Sequence, residues 1–169
     1  PEGFETFLAT IVSQQISTTA ANAIMGRVRR VLPSLTPKGL DQVTDAELRA
    51  AGLSFRKIEY ARGLAHAVQS GELAVDQLSG LTDAEVIEAI TALRGFGVWS
   101  AEIYCMFSLG RPDIFPAGDL ALQIALARLK GLDPKPTPKQ TRALTQHWQP
   151  YRSVGALFLW HYYQGAPLV

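Results

Sequence analysis

Three times in this chain a threonine stands three residues ahead of a glutamate or glutamine at the head of a helix-patterned run. The pairs are Thr44 with Glu47, Thr82 with Glu85, and Thr137 with Gln140. At that spacing the hydroxyl accepts from the backbone N–H three residues on, while the longer side chain reaches back to the threonine N–H. Each pair therefore marks a helix start. Pro138 reinforces the third, because proline suits the first helical position. Between these marks, Phe55, Ile58, Ala61, Leu64, Ala65 and Val68 recur on one helical face, as do Phe4, Phe7, Leu8, Ile11 and Val12. No run alternates with period two, and no repeat of fixed length is visible. The chain is predicted to be all-α, with helices near 4–14, 17–31, 44–50, 54–69, 82–92, 98–109, 119–130, 138–147 and 152–163. Gly110-Arg-Pro-Asp-Ile-Phe-Pro-Ala-Gly118, with two prolines and two glycines, reads as a crossing between two lobes. The lobes are expected to cover 1–111 and 112–169. Residues 131–138, with Pro134, Pro136 and Pro138, read as a surface loop.

Composition narrows the function classes. A chain of 169 residues that is 47% hydrophobic and 18% charged is globular rather than disordered. The single cysteine, Cys105, excludes a disulfide framework and any four-cysteine zinc or iron–sulfur site. His66, His147 and His161 lack ligand spacing, so no metal site is expected. No apolar run reaches the ~18 residues of a membrane span, and no signal peptide is visible. The formal net charge is +1, so any nucleic-acid binding must use a local patch or helix ends. The chain opens at Pro1 without a methionine, which reads as a trimmed or partial chain.

The most informative segment is Leu93-Arg-Gly-Phe-Gly-Val-Trp-Ser-Ala-Glu102. A capped helix runs into it and a second helix leaves it at Val98. Gly95 and Gly97 sit two apart in the turn, where glycine permits positive φ and puts no Cβ in the way of a ligand. The helix that follows offers unpaired N–H groups and the positive end of its dipole, which suit a phosphate oxygen. Ser100 adds a hydroxyl. The glycines alone fit an ordinary helix–helix turn equally well.

The flanking residues go further. Leu-x-Gly-x-Gly-x-x-Ser-Ala between two helices resembles the helix-hairpin-helix of the DNA glycosylase superfamily. In that superfamily a loop rich in Gly and Pro follows, then an essential aspartate, which here is Phe115-Pro-Ala-Gly-Asp119. Upstream, Ile11-Val-Ser-Gln-Gln-Ile-Ser17 resembles the first-helix motif. Gly52-Leu-Ser-Phe-Arg-Lys57, Tyr60 and Arg62 match the segment between. Downstream, Trp148-Gln-Pro-Tyr-Arg-Ser153 and Trp160 resemble the C-terminal helix of the 3-methyladenine DNA glycosylase II branch. The match runs in order over nearly the whole chain.

The resemblance implies a two-lobed helical bundle with a catalytic cleft between the lobes. It also implies hydrolysis of the N-glycosidic bond of alkylated purines in base excision repair. Bifunctional members place a lysine two residues after the second hairpin glycine, and its amine forms a Schiff base with the sugar. Here that position is Trp99, so the enzyme is expected to be monofunctional and to leave an abasic site. Asp119 is the expected catalytic residue, stabilising an oxocarbenium-like sugar and orienting water. It also fits as N-cap of the helix from Leu120, and the two roles are compatible. Asp113 competes with it but reads as a turn residue. An N3- or N7-alkylated purine carries positive charge, so aromatic faces suit its pocket. The resemblance puts Trp99 and Trp160 there. Tyr104 is adjacent, one residue past the position that is aromatic in well-known relatives, which here is Ile103. Core packing is the alternative for Trp99 and Trp160.

Gln15 ends the first helix where superfamily members insert a side chain into the duplex, with Gln14 beside it as a structural residue. Arg152 is a phosphate or structural candidate. Arg56, Lys57, Arg27, Arg29 and Arg30 fit either phosphate contacts or solvated helix faces. No cofactor is called for, with a monovalent cation in the hairpin left open. The partner is duplex DNA containing damaged bases, met by a monomer in the cytoplasm and nucleoid of a bacterium or the nucleus of a eukaryote. Two rivals stand beside this: a monofunctional glycosylase for deaminated or oxidised bases, and a non-catalytic DNA-binding module. A neutral leaving group would want an acid, for which Glu102 is a remote candidate. A protein-interaction bundle would not need the hairpin.

Overall fold

The computed structural model describes residues 3–165, and all regular structure among them is helical. Ten α-helices follow one another: α1 Phe4–Ser13, α2 Thr18–Val31, α3 Pro37–Asp41, α4 Asp45–Ala50, α5 Phe55–Ser70, α6 Asp83–Thr91, α7 Val98–Phe107, α8 Leu120–Lys130, α9 Pro138–Thr145 and α10 Arg152–Tyr163. Short 3₁₀ segments occupy Val75–Gly80 and Gln146–Trp148. Both bonds of each expected capping box are present at Thr44, Thr82 and Thr137. The threonine bonds hold the Glu47 and Glu85 carboxyls below their usual range. None of the helices among the described residues is long and apolar enough to cross a membrane.

The chain divides into two compact units after Gly97. In the first, α1 lies against α5 and α2, and α3 packs on α5. The two periodic stripes meet here. Phe4, Phe7, Leu8, Ile11 and Val12 are buried from α1, and Ile58, Ala61, Leu64 and Ala65 from α5. Burying a side chain such as Leu8 or Ile11 contributes roughly 1.5–3 kcal/mol.

In the second unit α8 packs along α10, with Leu122, Ala125 and Leu126 of the one and Ala156 and Leu159 of the other buried. Gly155 makes room for a ring: a Cβ there would lie 2.4 Å from Trp148 Cε3. Trp148 in turn meets Phe115 edge to face, with ring centres 5.9 Å apart. The loop that carries Asp119 is thereby anchored to α10. The first lobe was expected to run to residue 111, but α7 belongs to the second unit. Its bonds explain this: Glu102 pairs with Arg142, Trp99 with Asp119, and Phe107 stacks on Trp160.

Candidate functional site

Asp119 stands at the head of α8 with extended backbone (φ −70°, ψ 122°), and its Oδ1 accepts from the Leu122 N–H at 3.0 Å. That is the capping role expected of it. The turn before it is tight: the Asp119 N–H donates to the Pro116 carbonyl, and Gln123 Nε2 donates to the Ala117 carbonyl. The cap accounts for one bond only. Oδ2 also accepts from Trp99 Nε1 at 2.9 Å, and Oδ1 from Trp160 Nε1 at 3.2 Å. A carboxylate offers about four acceptor positions. Three are filled here by fixed donors, which leaves one on Oδ2 for a water or a sugar.

The structure therefore brings both expected tryptophans to Asp119, and it does so through their N–H edges, a contact that spacing cannot show. Trp99 remains 45% exposed. Phe107, 56% exposed, stacks on Trp160 at 5.9 Å with 29° between planes. Trp99, Trp160 and Phe107 thus set aromatic surface beside one carboxylate. Sequence reasoning missed Phe107. It closes an apolar helical run and reads as core until α10 lies opposite it.

Four residues of this unit depart from or refine expectation. Tyr104 is buried, only 5% exposed, in the core of the unit rather than in the open aromatic cluster. Five residues along a helix turn a side chain about 140° from Trp99, whereas the four to Ile103 turn it only about 40°. Arg152 does not stand free for a phosphate. Its Nε and Nη2 donate to the two Asp113 carboxylate oxygens at 2.7 and 2.9 Å, and Nη2 reaches the Asp113 carbonyl as well. Those bonds hold the Asp113 carboxyl below its usual range. Asp113 is thus an anchor between the loop and α10, more than a turn residue. Glu102 is buried and accepts from Arg142 Nη2 at 3.0 Å. Burial raises its carboxyl pKa, and Arg142 opposes the rise. The structural ion pair is the role the structure gives it.

The first unit holds the turn that leads to α7. Gly95 has φ +97°, and a Cβ there would sit 2.4 Å from Tyr60 Cδ2, so only glycine fits. Phe96 is buried edge to face against Phe7, and Arg94 pairs with Glu59. At Gly97 the Cβ position is open, leaving the backbone approachable. The chain passes from this turn into α7, whose first turn carries no acidic residue to repel an anion. Ser100 is half-buried there. At the end of α1, Gln15 is exposed with φ 59°, the one non-glycine at positive φ among the described residues. Gln14 Nε2 donates to the Gly95 carbonyl at 2.8 Å. Lys57 Nζ donates to the Val12 carbonyl, and Arg27 Nε to that of Ala51; Arg29 pairs with Glu5. These cations therefore serve the fold, and partial burial lowers the pKa of Lys57. Among the described residues no cluster of three His, Cys, Asp or Glu is placed to hold a metal ion.

Residues 8–150 match the family described as HhH-GPD superfamily base excision DNA repair protein. The chain is 31% identical over 163 residues to DNA-3-methyladenine glycosylase 1 of Schizosaccharomyces pombe, covering 94% of this chain and 72% of that protein. Against YfjP of Bacillus subtilis it is 33% identical over 124 residues, 73% of this chain but only 43% of that protein. Among solved structures it resembles a DNA-3-methyladenine glycosidase from Bacillus halodurans, with TM-score 0.89 and 39% identity over 98% of this chain and 77% of that one. It also resembles the Schizosaccharomyces pombe 3-methyladenine DNA glycosylase Mag1 in complex with abasic DNA, with TM-score 0.86 and 31% identity over 98% and 82% of the two chains.

Proposed function

The chain belongs to the HhH-GPD superfamily of base excision DNA repair proteins, and from that footing we propose that it is a monofunctional DNA glycosylase for alkylated purines such as 3-methyladenine and 7-methylguanine. The observation that carries this is Asp119, held by the indole N–H groups of Trp99 and Trp160 beside exposed aromatic rings. A phosphate-binding module has no use for that arrangement.

The chemistry asks little more of the protein. An N3- or N7-alkylated purine is already cationic, so it leaves the sugar without a general acid. Aromatic faces attract such a ring by roughly 0.5–2 kcal/mol each. As the glycosidic bond lengthens, positive charge develops at C1′ and the ring oxygen of the sugar. A carboxylate already oriented by three donors stabilises that charge without reorganising. Its remaining acceptor position orients the water that adds to C1′ and takes the proton the water loses. Trp99 holds the position that the resemblance assigns to the lysine of bifunctional members. Indole offers no amine for a Schiff base, so the reaction stops at the abasic site. The backbone N–H groups of the turn after Gly95 grip a phosphate, and Gln15 enters the duplex.

The test is excision from duplex DNA carrying 7-methylguanine or 3-methyladenine, with wild type beside Asp119→Asn. Asparagine keeps the cap acceptor but not the charge. The wild type is expected to release free base, with strand breaks only after alkali. Asp119→Asn is expected to lose about 10²–10⁴-fold in rate while still binding DNA. Breaks before alkali would overturn the monofunctional assignment. Binding without release by either protein would overturn the lesion assignment or the enzyme reading, which a panel of deaminated and oxidised bases separates.

A further inference from the structure

Gln15 is exposed at φ 59°. A non-glycine residue in the left-handed region costs roughly 1–3 kcal/mol and persists only where its surroundings fix it. Those surroundings lie in the first unit. The Gln14 N–H caps α1 by donating to the Ile11 carbonyl, so its side chain is not needed for the cap. Instead its carboxamide crosses to the hairpin turn and donates to the Gly95 carbonyl. Behind this bond α1 is braced by Lys57 on the Val12 carbonyl in its last turn and by Phe7 on Phe96 further back. The turn itself is closed by the Phe96 N–H on the Leu93 carbonyl and seated on the Tyr60 ring. The Gln14 bond is the direct link from the residue beside Gln15 to the backbone of the turn. It also fixes the peptide that follows Gly95, just ahead of those whose N–H groups are assigned to a phosphate in the proposed function.

We propose that Gln14 is a positioning residue: it locks Gln15 in register with the hairpin turn, so that seating the turn on a phosphate sets where Gln15 enters the base stack. This rests on the proposed entry of Gln15 into the duplex. Successive bases rise by about 3.4 Å, so a slack link lets the side chain meet the wrong edge of a step. A misplacement of about 1 Å can cost up to about 10²-fold in rate.

The experiment is a double-mutant cycle of Gln14→Met, which keeps length and volume but removes the donor, with Gln15→Ala. Gln14→Asn, which keeps the amide one methylene short, serves as a second variant, and thermal melts confirm folding. Two readouts run in parallel: single-turnover excision of 7-methylguanine, and fluorescence of 2-aminopurine beside an abasic analogue, which reports a side chain entering the stack. Gln14→Met is expected to lower excision about 10- to 100-fold and to lower the fluorescence change, with affinity for undamaged duplex altered less than about 2-fold. In the Gln15→Ala background the same change is expected to cost less than about 3-fold, because its effect passes through Gln15. Additive losses, as from a contact serving stability alone, would overturn the proposal, as would a Gln14→Met protein equal to wild type. If the wild type excises no methylated purine, the glycosylase reading fails and the fluorescence cycle still decides the coupling. If the wild type gives no fluorescence change, entry of Gln15 and the coupling fall together.

Discussion

Asp119 caps α8 and, in the proposed reading, also carries the catalytic charge, and its hydrogen bonds separate the two roles. The Leu122 bond starts α8, while the two indole bonds fix the carboxylate against rotation. Trp99→Phe and Trp160→Phe each keep a ring and remove one donor. Each is expected to slow single-turnover excision about 10-fold, from the loss of about 1.5–3 kcal/mol of charge-assisted bond partly replaced by water. KM is expected to change little, since the aromatic surface stays. Trp160→Ala also removes the ring on which Phe107 stacks, so it should raise KM as well. A second prediction concerns Asp113 and Arg152. The folded carboxyl lies below its ordinary value of 3.8, chiefly through the Arg152 bonds. The stabilisation is therefore complete above 3.8 and is lost as pH falls through the folded pKa. Asp113→Asn is expected to be less stable by about 1–3 kcal/mol at neutral pH. The gap to wild type should narrow on acidification, as pH-dependent melts would show.

At the scale of elements, the hairpin turn carries two glycines for two reasons. Gly95 has positive φ and lies against the Tyr60 ring, whereas Gly97 has neither constraint and an open Cβ position. Gly95→Ala should lower Tm by several degrees, about 2–4 °C per kcal/mol for a chain of this size, and weaken duplex binding. Gly97→Ala should leave Tm nearly unchanged and still weaken binding, because its methyl group meets the ligand rather than the fold. Melts and duplex titrations on the same pair check both. The helices were legible to different degrees for physical reasons. Thr44, Thr82 and Thr137 announce α4, α6 and α9 because a capping box is a local device. Helix α3 was not foreseen. Five residues hold no periodic stripe, although Thr36 ahead of Pro37 does cap it. The 3₁₀ segment Val75–Gly80 has no i, i+4 pattern to find. Within the candidate site, Asp119, Trp99 and Trp160 were named from the resemblance, since their spacing alone fits a cap and core packing equally well. The edge that each indole presents, the burial of Tyr104, the Asp113–Arg152 pair and the exposure of Phe107 all depend on packing between distant segments, which sequence spacing does not encode.

For the molecule as a whole, the decisive quantity is charge. Sixteen basic residues against fifteen acidic ones leave +1. The structure then commits many of the cations: Arg29, Arg62, Arg94, Arg142 and Arg152 each pair with a carboxylate, and Arg27 and Lys57 bond to backbone carbonyls. A protein that grips a polyanion with so small a surplus has to rely on neutral donors, and in the proposed reading the hairpin backbone supplies them. Neutral donors displace water from a phosphate and release few counterions, whereas each cation contact adds roughly −0.9 to the slope of log K against log salt. Binding to undamaged duplex is therefore expected to fall with a slope of about −2 to −3. Titrations between 50 and 200 mM salt would measure it, 50 and 200 being about the range where a grip through six to ten cations loses 10³–10⁵ in affinity. A slope steeper than about −5 would mean that exposed cations such as Arg30 and Arg56, rather than the hairpin, dominate the contact. A shallow slope together with weakened binding by Gly97→Ala would locate the grip in the turn.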